Sequence, residues 1–256
     1  MALVSASIAP AVTPIVALDV PDRAGAEALV HRLGSACDFY KVGLELFSAE
    51  GPSVVAWLRE QGKRVFVDLK LHDIPNTVRG AARSVARHGA TLLTVHASGG
   101  PEMIAAAVAG AAEGAAEGAA DHGPDGGCGI LGVTILTSLN ADAVQTAWGR
   151  GPLEVTAEVV RLAGFAASAR AAGIVCSGHE AAAVRAAYGG ALGLLIPGIR
   201  LPGGDAHDQA RVMTPSAAAA AGARWLILGR AVTAAADPVA AMAAVRADLD
   251  GVAASA

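Results

Sequence analysis

The sequence predicts a single-domain α/β protein, a (β/α)8 TIM barrel, and three observations point to it. Eight short apolar runs alternate with longer, Ala-rich segments along the chain. The runs are near-continuously apolar rather than alternating, as parallel strands covered on both faces must be. The length, 256 residues, is that of one such barrel.

Each element has its own signal. Residues 1–13 read as a loose N-terminus: Pro10 and Pro14 interrupt its surroundings, and Ser5, Ser7 and the absence of a basic start argue against a signal peptide or a membrane span. The first strand is Ile15–Val20, and Pro21-Asp22 opens a helix over Arg23–Leu33. The second strand, Phe39–Val42, precedes a helix over Ser53–Gln61 that Gly62 closes. The third, Arg64–Leu69, leads to a helix over Asn76–His88 closed by Gly89. The fourth, Thr91–His96, leads to a helix over Pro101–Ala120 whose end is blurred by Gly110, Gly114 and Gly118. His122–Gly129 is a Gly-rich turn too short to separate two domains. The last four strands are Ile130–Thr134, Ile174–Cys176, Leu192–Ile196 and Trp225–Leu228. Their helices are Leu153–Ala172, which Gly173 closes, Glu180–Tyr188, Pro215–Ala221 and Asp237–Val252. The one domain thus covers 1–256. A doubly wound open sheet has the same alternation, but no G-x-G-x-x-G follows the first strand, which weakens a dinucleotide site.

Composition narrows the function classes. With 54% hydrophobic and 16% charged residues the chain buries a large core and is not disordered. A net charge of −4 without a basic stripe gives no nucleic-acid footprint. Cys37, Cys128 and Cys176 are odd in number and widely spaced, which suits a reducing cytoplasm rather than a disulfide framework or a zinc site. The seven His include no ligand-spaced pair, so no metal is expected. Among 19 basic residues only Lys41, Lys63 and Lys70 are lysine, a hint that these positions need a compact or titratable amine.

In a barrel, chemistry collects where strands end and βα loops begin. Asp68 and Lys70 on the third strand share a face by strand periodicity, with Leu69 turned toward the helices, and Asp73 follows where the strand gives way to a loop. Two opposite charges facing a barrel interior are costly unless they pair or react. Asp19 and Lys41 end the first and second strands, so Asp19, Lys41, Asp68, Lys70 and Asp73 form a candidate cluster. The seventh and eighth strands end in Gly198 with Arg200 and in Gly229 with Arg230, a candidate phosphate site: glycine lets a backbone N–H approach an anion and arginine offers a two-pronged donor. The long loop Gly198–Thr214, which contains Gln209, is a candidate lid, and Thr137 and Ser138 after the fifth strand can hydrogen-bond an amide.

In this order, A-L-D-V, K-V-G-L-E-L-F, V-D-L-K-L-H-D-I-P-N-T-V, V-T-I-L-T-S, P-G-I-R, D-Q-A-R-V-M-T-P and L-G-R-A-V-T closely resemble the orotidine 5′-phosphate decarboxylase family over Ile15 to Thr233. Ile196 stands where that family often has Thr. The resemblance implies decarboxylation of orotidine 5′-phosphate to UMP without metal or cofactor, in a cytoplasmic homodimer with shared active sites. It implies that Lys70 donates a proton to the ring carbon that loses CO₂ and that Asp68 lies beside the departing carboxylate. Lys41 and Asp19 would hold the ribose hydroxyls. Asp73 and Thr77 would reach into the neighbouring subunit's site. Thr137 would contact the pyrimidine, Gln209 the phosphate and lid, and Arg200, Gly229 and Arg230 the phosphate. Two rivals remain: a Mg²⁺-dependent sugar-phosphate decarboxylase or aldolase of the same superfamily, which shares the D-x-K-x-x-D core, and a non-catalytic nucleotide-binding barrel.

Overall fold

The computed structural model describes residues 12–118, 126–201 and 213–253. Eight parallel strands close into a barrel in the order β1 to β8: β1 Thr13–Leu18, β2 Phe39–Val42, β3 Arg64–Leu71, β4 Leu92–His96, β5 Gly129–Val133, β6 Gly173–Val175, β7 Gly193–Ile196 and β8 Trp225–Leu228. β8 pairs with β1 through Ile15↔Ile227, which excludes the open sheet. The expected N-terminal segment lies outside the described residues up to residue 11, and Thr13 already belongs to β1. Pro14 is tolerated there because it sits at the start of the strand.

Eleven α-helices surround the barrel among the described residues: α1 Arg23–Leu33, α2 Leu44–Glu50, α3 Ser53–Glu60, α4 Pro75–Arg87, α5 Gly100–Glu117, α6 Ala141–Trp148, α7 Val155–Ser168, α8 Gly178–Tyr188, α9 Pro215–Ala220, α10 Arg230–Thr233 and α11 Pro238–Ala253. Three of them, α2, α6 and α10, lie where no helix was expected, inside βα connections. Each is eight residues or fewer, too short for a 3.6-residue period to show. Gly173 does not close a helix as expected. α7 ends at Ser168, and Gly173 opens β6, where a Cβ would strike the backbone carbonyl of Gly193.

The core has two layers. One fills the space between strands and helices. The other fills the barrel itself with Ile15, Phe39, Phe66, Leu92, Leu131, Leu195 and Trp225, against which Val175 and Ile227 pack. Burying an aromatic or large aliphatic side chain of this kind contributes about 1.5–3 kcal/mol. This plug forms the floor of the site. Two residues beyond Ile15, Phe39 and Phe66 on the same strand face come, respectively, Ala17, Lys41 and Asp68, and Asp19 follows Ala17 by two more.

α4 and α5 pack with unusually close backbones. A Cβ on Gly110 or Gly114 would fall on the carbonyl oxygens of Arg79 and Arg83, and the ion pairs Arg79–Glu113 and Arg83–Glu117 tie the exposed side of the contact. The glycines that blur the end of α5 in the sequence are therefore packing residues. This contact fixes α4, whose first turn follows the β3 loop.

Candidate active site

At the C-terminal mouth of the barrel, four charged side chains form a row of alternating sign. Asp19 Oδ1 lies 2.8 Å from Lys41 Nζ, Lys41 Nζ lies 3.7 Å from Asp68 Oδ2, and Asp68 Oδ1 lies 3.0 Å from Lys70 Nζ. The two lysines thus hold opposite oxygens of one carboxylate. Lys41 and Asp68 are the deep members, with side chains 10% and 14% exposed, while Lys70 is 29% exposed and Asp19 65%. Charges this deep are stable because each has a partner of opposite sign. The row has two carboxylates and two ammonium groups and so no net charge.

Lys70 is not placed by simple strand alternation. Its φ is +51°, rare for a residue with a side chain, and the pairing of β3 with β4 shifts register between Val67 and Leu71. The expectation that Asp68 and Lys70 meet holds, but a bulge at the strand end brings them together. Leu69 packs outward against the layer beneath the helices, as expected.

These residues line a cavity of about 220 Å³ together with Thr137 and Leu136 from the β5–α7 connection and the floor residues Phe66, Val175, Leu195 and Ile227. That connection is anchored below by Glu158, a buried carboxylate paired with both Arg150 and Arg161. The hydrogen bond from Arg161, reinforced by Arg150, holds the Glu158 carboxyl below its ordinary range against the opposing effect of burial. At the end of β4, His96 faces His72 with ring centroids 5.5 Å apart. Burial pushes the His96 imidazole below its ordinary value, and His72 and Lys70 add to the effect while Asp68 opposes it.

Other expected residues lie further from the row. Asp73 and Thr77 are exposed on the β3–α4 loop and first turn of α4. The Asp73 carboxylate accepts from the Ile74 amide and makes no ion pair among the described residues, so the candidate five-charge cluster contracts to four within one chain. The cavity lining includes Pro197 and Ile227; Arg200, Gly229 and Arg230 follow just beyond them, at the ends of β7 and β8. Arg200 is buried, with a guanidinium hydrogen bond to the Ile199 carbonyl, and its amide donates to Met213 across the base of the long loop. Gly229 caps α10, which Arg230 opens. Gln209 lies outside the described residues.

Two contributors escape the sequence reading. Gly43 follows Lys41 in K-V-G, and a Cβ there would come within 2.9 Å of Lys41 Nζ and 3.4 Å of Asp19 Oδ1. Thr94 sits fully buried on β4 with its hydroxyl 2.9 Å from Asp68 Oδ1. The K-V-G spacing is a signal for the first; nothing in the sequence marks the second apart from its neighbours.

Comparison with known proteins gives a consistent result. Residues 13–245 match the model of the family described as Orotidine 5'-phosphate decarboxylase / HUMPS family. The chain is similar to the orotidine 5'-phosphate decarboxylase of Anaeromyxobacter sp. (strain K), with 50% identity over 91% of this chain and 96% of that protein. It is also 48% identical to the enzyme of the same name from Moorella thermoacetica over 92% of this chain and 91% of that one. The crystal structure of orotidine 5'-phosphate decarboxylase from Lactobacillus acidophilus superposes with a TM-score of 0.81 at 34% identity, covering 93% of this chain and 99% of that chain.

Proposed function

The chain belongs to the orotidine 5'-phosphate decarboxylase / HUMPS family, and on that premise we propose that it converts orotidine 5′-phosphate to UMP and CO₂ in pyrimidine biosynthesis. The observation that carries this reading is the row Asp19–Lys41–Asp68–Lys70, which ends in an ammonium at the cavity.

The reaction needs such an arrangement. Breaking the bond between the ring carbon and the carboxylate leaves an electron pair in the ring plane, where the π-system cannot delocalise it. A fixed positive charge beside that carbon stabilises the pair directly, and in a site with apolar walls it does so more strongly than water can. Lys70 supplies the charge and then its proton to the same carbon; solvent reprotonates the amine. Asp68 lies beside the carboxylate that leaves as CO₂, and Asp19 and Lys41 hold the ribose hydroxyls. Thr137 contacts the pyrimidine. Arg200, Gly229, Arg230 and Gln209 hold the phosphate, whose binding contributes to catalysis at a distance from the reacting carbon. A short helix opening at the end of β8 is a common phosphate cradle in barrels of this kind, which supports the assignment of Gly229 and Arg230.

The working unit is a cytoplasmic homodimer in which Asp73 and Thr77 complete the partner's site. Two features support this: Asp73 has no ionic partner of its own among the described residues, and the adjacent Ile74 leaves 67% of its surface exposed. No described helix is long and apolar enough to cross a membrane.

The test is incubation with orotidine 5′-phosphate in excess EDTA, following UMP and CO₂. Equimolar UMP and CO₂ at a rate that EDTA leaves unchanged is expected. Turnover that stops with EDTA and returns with Mg²⁺ on a sugar phosphate would assign the chain to the metal-dependent branch instead, and binding of the nucleotide without turnover would make it a non-catalytic barrel.

A further inference from the structure

The β3–β4 pairing contains an imbalance centred on one residue. Between the paired positions Val67 and Leu71 lie Asp68, Leu69 and Lys70; between their partners Leu93 and Val95 lies only Thr94. β3 therefore carries two residues more than its neighbour at the point where the reactive side chains emerge, and Lys70 takes up the slack with a φ of +51°. A bulge of this kind breaks the backbone ladder, so the Lys70 N–H needs another acceptor. It finds one in the Thr94 hydroxyl oxygen at 2.9 Å. The same hydroxyl lies 2.9 Å from Asp68 Oδ1, the oxygen that also accepts from Lys70 Nζ at 3.0 Å. A hydroxyl has one proton and two lone pairs, so accepting from the amide leaves the proton for the carboxylate. Thr94 is completely buried, and its χ1 is restricted by the β-branch, so the hydroxyl is a fixed point.

We propose that Thr94 is the positioning residue of the site: one hydroxyl holds the backbone of Lys70 in its left-handed conformation and, at the same time, orients the carboxylate that pairs with the Lys70 ammonium. It touches no substrate. It acts by closing a three-membered ring, amide of Lys70 to Thr94, Thr94 to Asp68, Asp68 to ammonium of Lys70, so that backbone and side chain of the lysine are set by the same group. Valine fills nearly the same space without either hydrogen bond. Serine keeps both.

The inference rests on the proposed reaction, and the experiment separates the two. Purified wild-type, Thr94→Val and Thr94→Ser proteins are compared by steady-state kinetics on orotidine 5′-phosphate and by NMR-detected amide exchange. In Thr94→Val the Lys70 amide is expected to exchange at least tenfold faster while Val67 and Leu93 are unaltered. Its kcat is expected to fall at least 30-fold with KM within threefold. Thr94→Ser is expected to recover both properties to within fivefold. If Thr94→Val fails to fold, Thr94→Ala against Thr94→Ser repeats the comparison, since these differ only by the hydroxyl. Unchanged Lys70 exchange and kcat in a folded variant without the hydroxyl would overturn the proposal. A loss that serine does not recover, or a change in KM equal to that in kcat, would overturn it as well. An inactive wild-type protein would contradict the reaction, and the exchange rate of the Lys70 amide would still decide the role of Thr94.

Discussion

Lys70 Nζ lies 3.0 Å from Asp68 Oδ1, and the two are brought together by a bulge at the end of β3 rather than by regular strand alternation. The pair is one end of a row that continues through Lys41 to Asp19 and spans the first three strands of the barrel. Strand neighbours in sequence order give this row its geometry, since β1 pairs with β2 and β2 with β3.

Space beside the row is set by Gly43. Its missing Cβ leaves room for Lys41 Nζ 2.9 Å away and for the Asp19 carboxylate. Gly43→Ala is expected to displace the Lys41 ammonium and lower kcat/KM by about 100-fold, the effect of roughly an ångström of misplacement in a catalytic cluster. Thermal unfolding should be nearly unchanged, because the clash is with a side-chain end. Steady-state kinetics beside a melting curve checks both halves.

The α4–α5 contact predicts the opposite pattern. Gly114→Ala would drive a methyl group onto the Arg83 carbonyl, a backbone atom that cannot move aside. A loss of about 3 kcal/mol is expected, at the upper end of overpacking costs. Gly80→Ala on α4 meets open space and should stabilise by about 0.5–1 kcal/mol. Urea titration of the two variants reads the contrast.

Much of this was legible in the sequence, for identifiable reasons. Apolar runs are long enough to mark all eight strands, and charges at their ends stand out against them, so Asp19, Lys41, Asp68 and Lys70 were visible. The bulge was not, because D-L-K reads as plain alternation and only the register with β4 reveals the two extra residues. Thr94 stayed hidden for the same reason: its role depends on what faces it across the sheet. Glycine misled where it serves packing, as at Gly173 and Gly114, since a glycine required by a neighbouring backbone looks like one that ends a helix. The rarity of lysine pointed to the site twice out of three. Lys63 instead donates to the carbonyls of Gly34 and Cys37 and clamps the turn before β2.

For the phosphate end, Arg230→Ala should raise KM for orotidine 5′-phosphate strongly while scarcely altering any trace activity on the unphosphorylated nucleoside. Equal losses on both substrates would show that Arg230 makes no phosphate-specific contact.

A shared site makes a prediction about mixed subunits. In a twofold dimer whose sites combine Lys70 of one chain with Asp73 of the other, a mixed dimer of Lys70→Ala and Asp73→Ala subunits has one site with both defects and one with neither. With equal amounts and free exchange, about a quarter of wild-type activity should return. If Asp73 serves its own chain's site, every site keeps a defect and none returns, a result made decisive by mass spectrometry of the mixed dimers.

The central claim is that the Lys70 ammonium at the end of the ion row carries the chemical step. The most direct measurement is single-turnover conversion of bound orotidine 5′-phosphate by Lys70→Ala, alongside circular dichroism and a melting curve. The account predicts a folded protein that still binds the nucleotide but forms UMP at least about 1,000-fold more slowly than wild type, the scale of a lost charge-stabilising donor. UMP formation at a near-normal rate in that variant would contradict it.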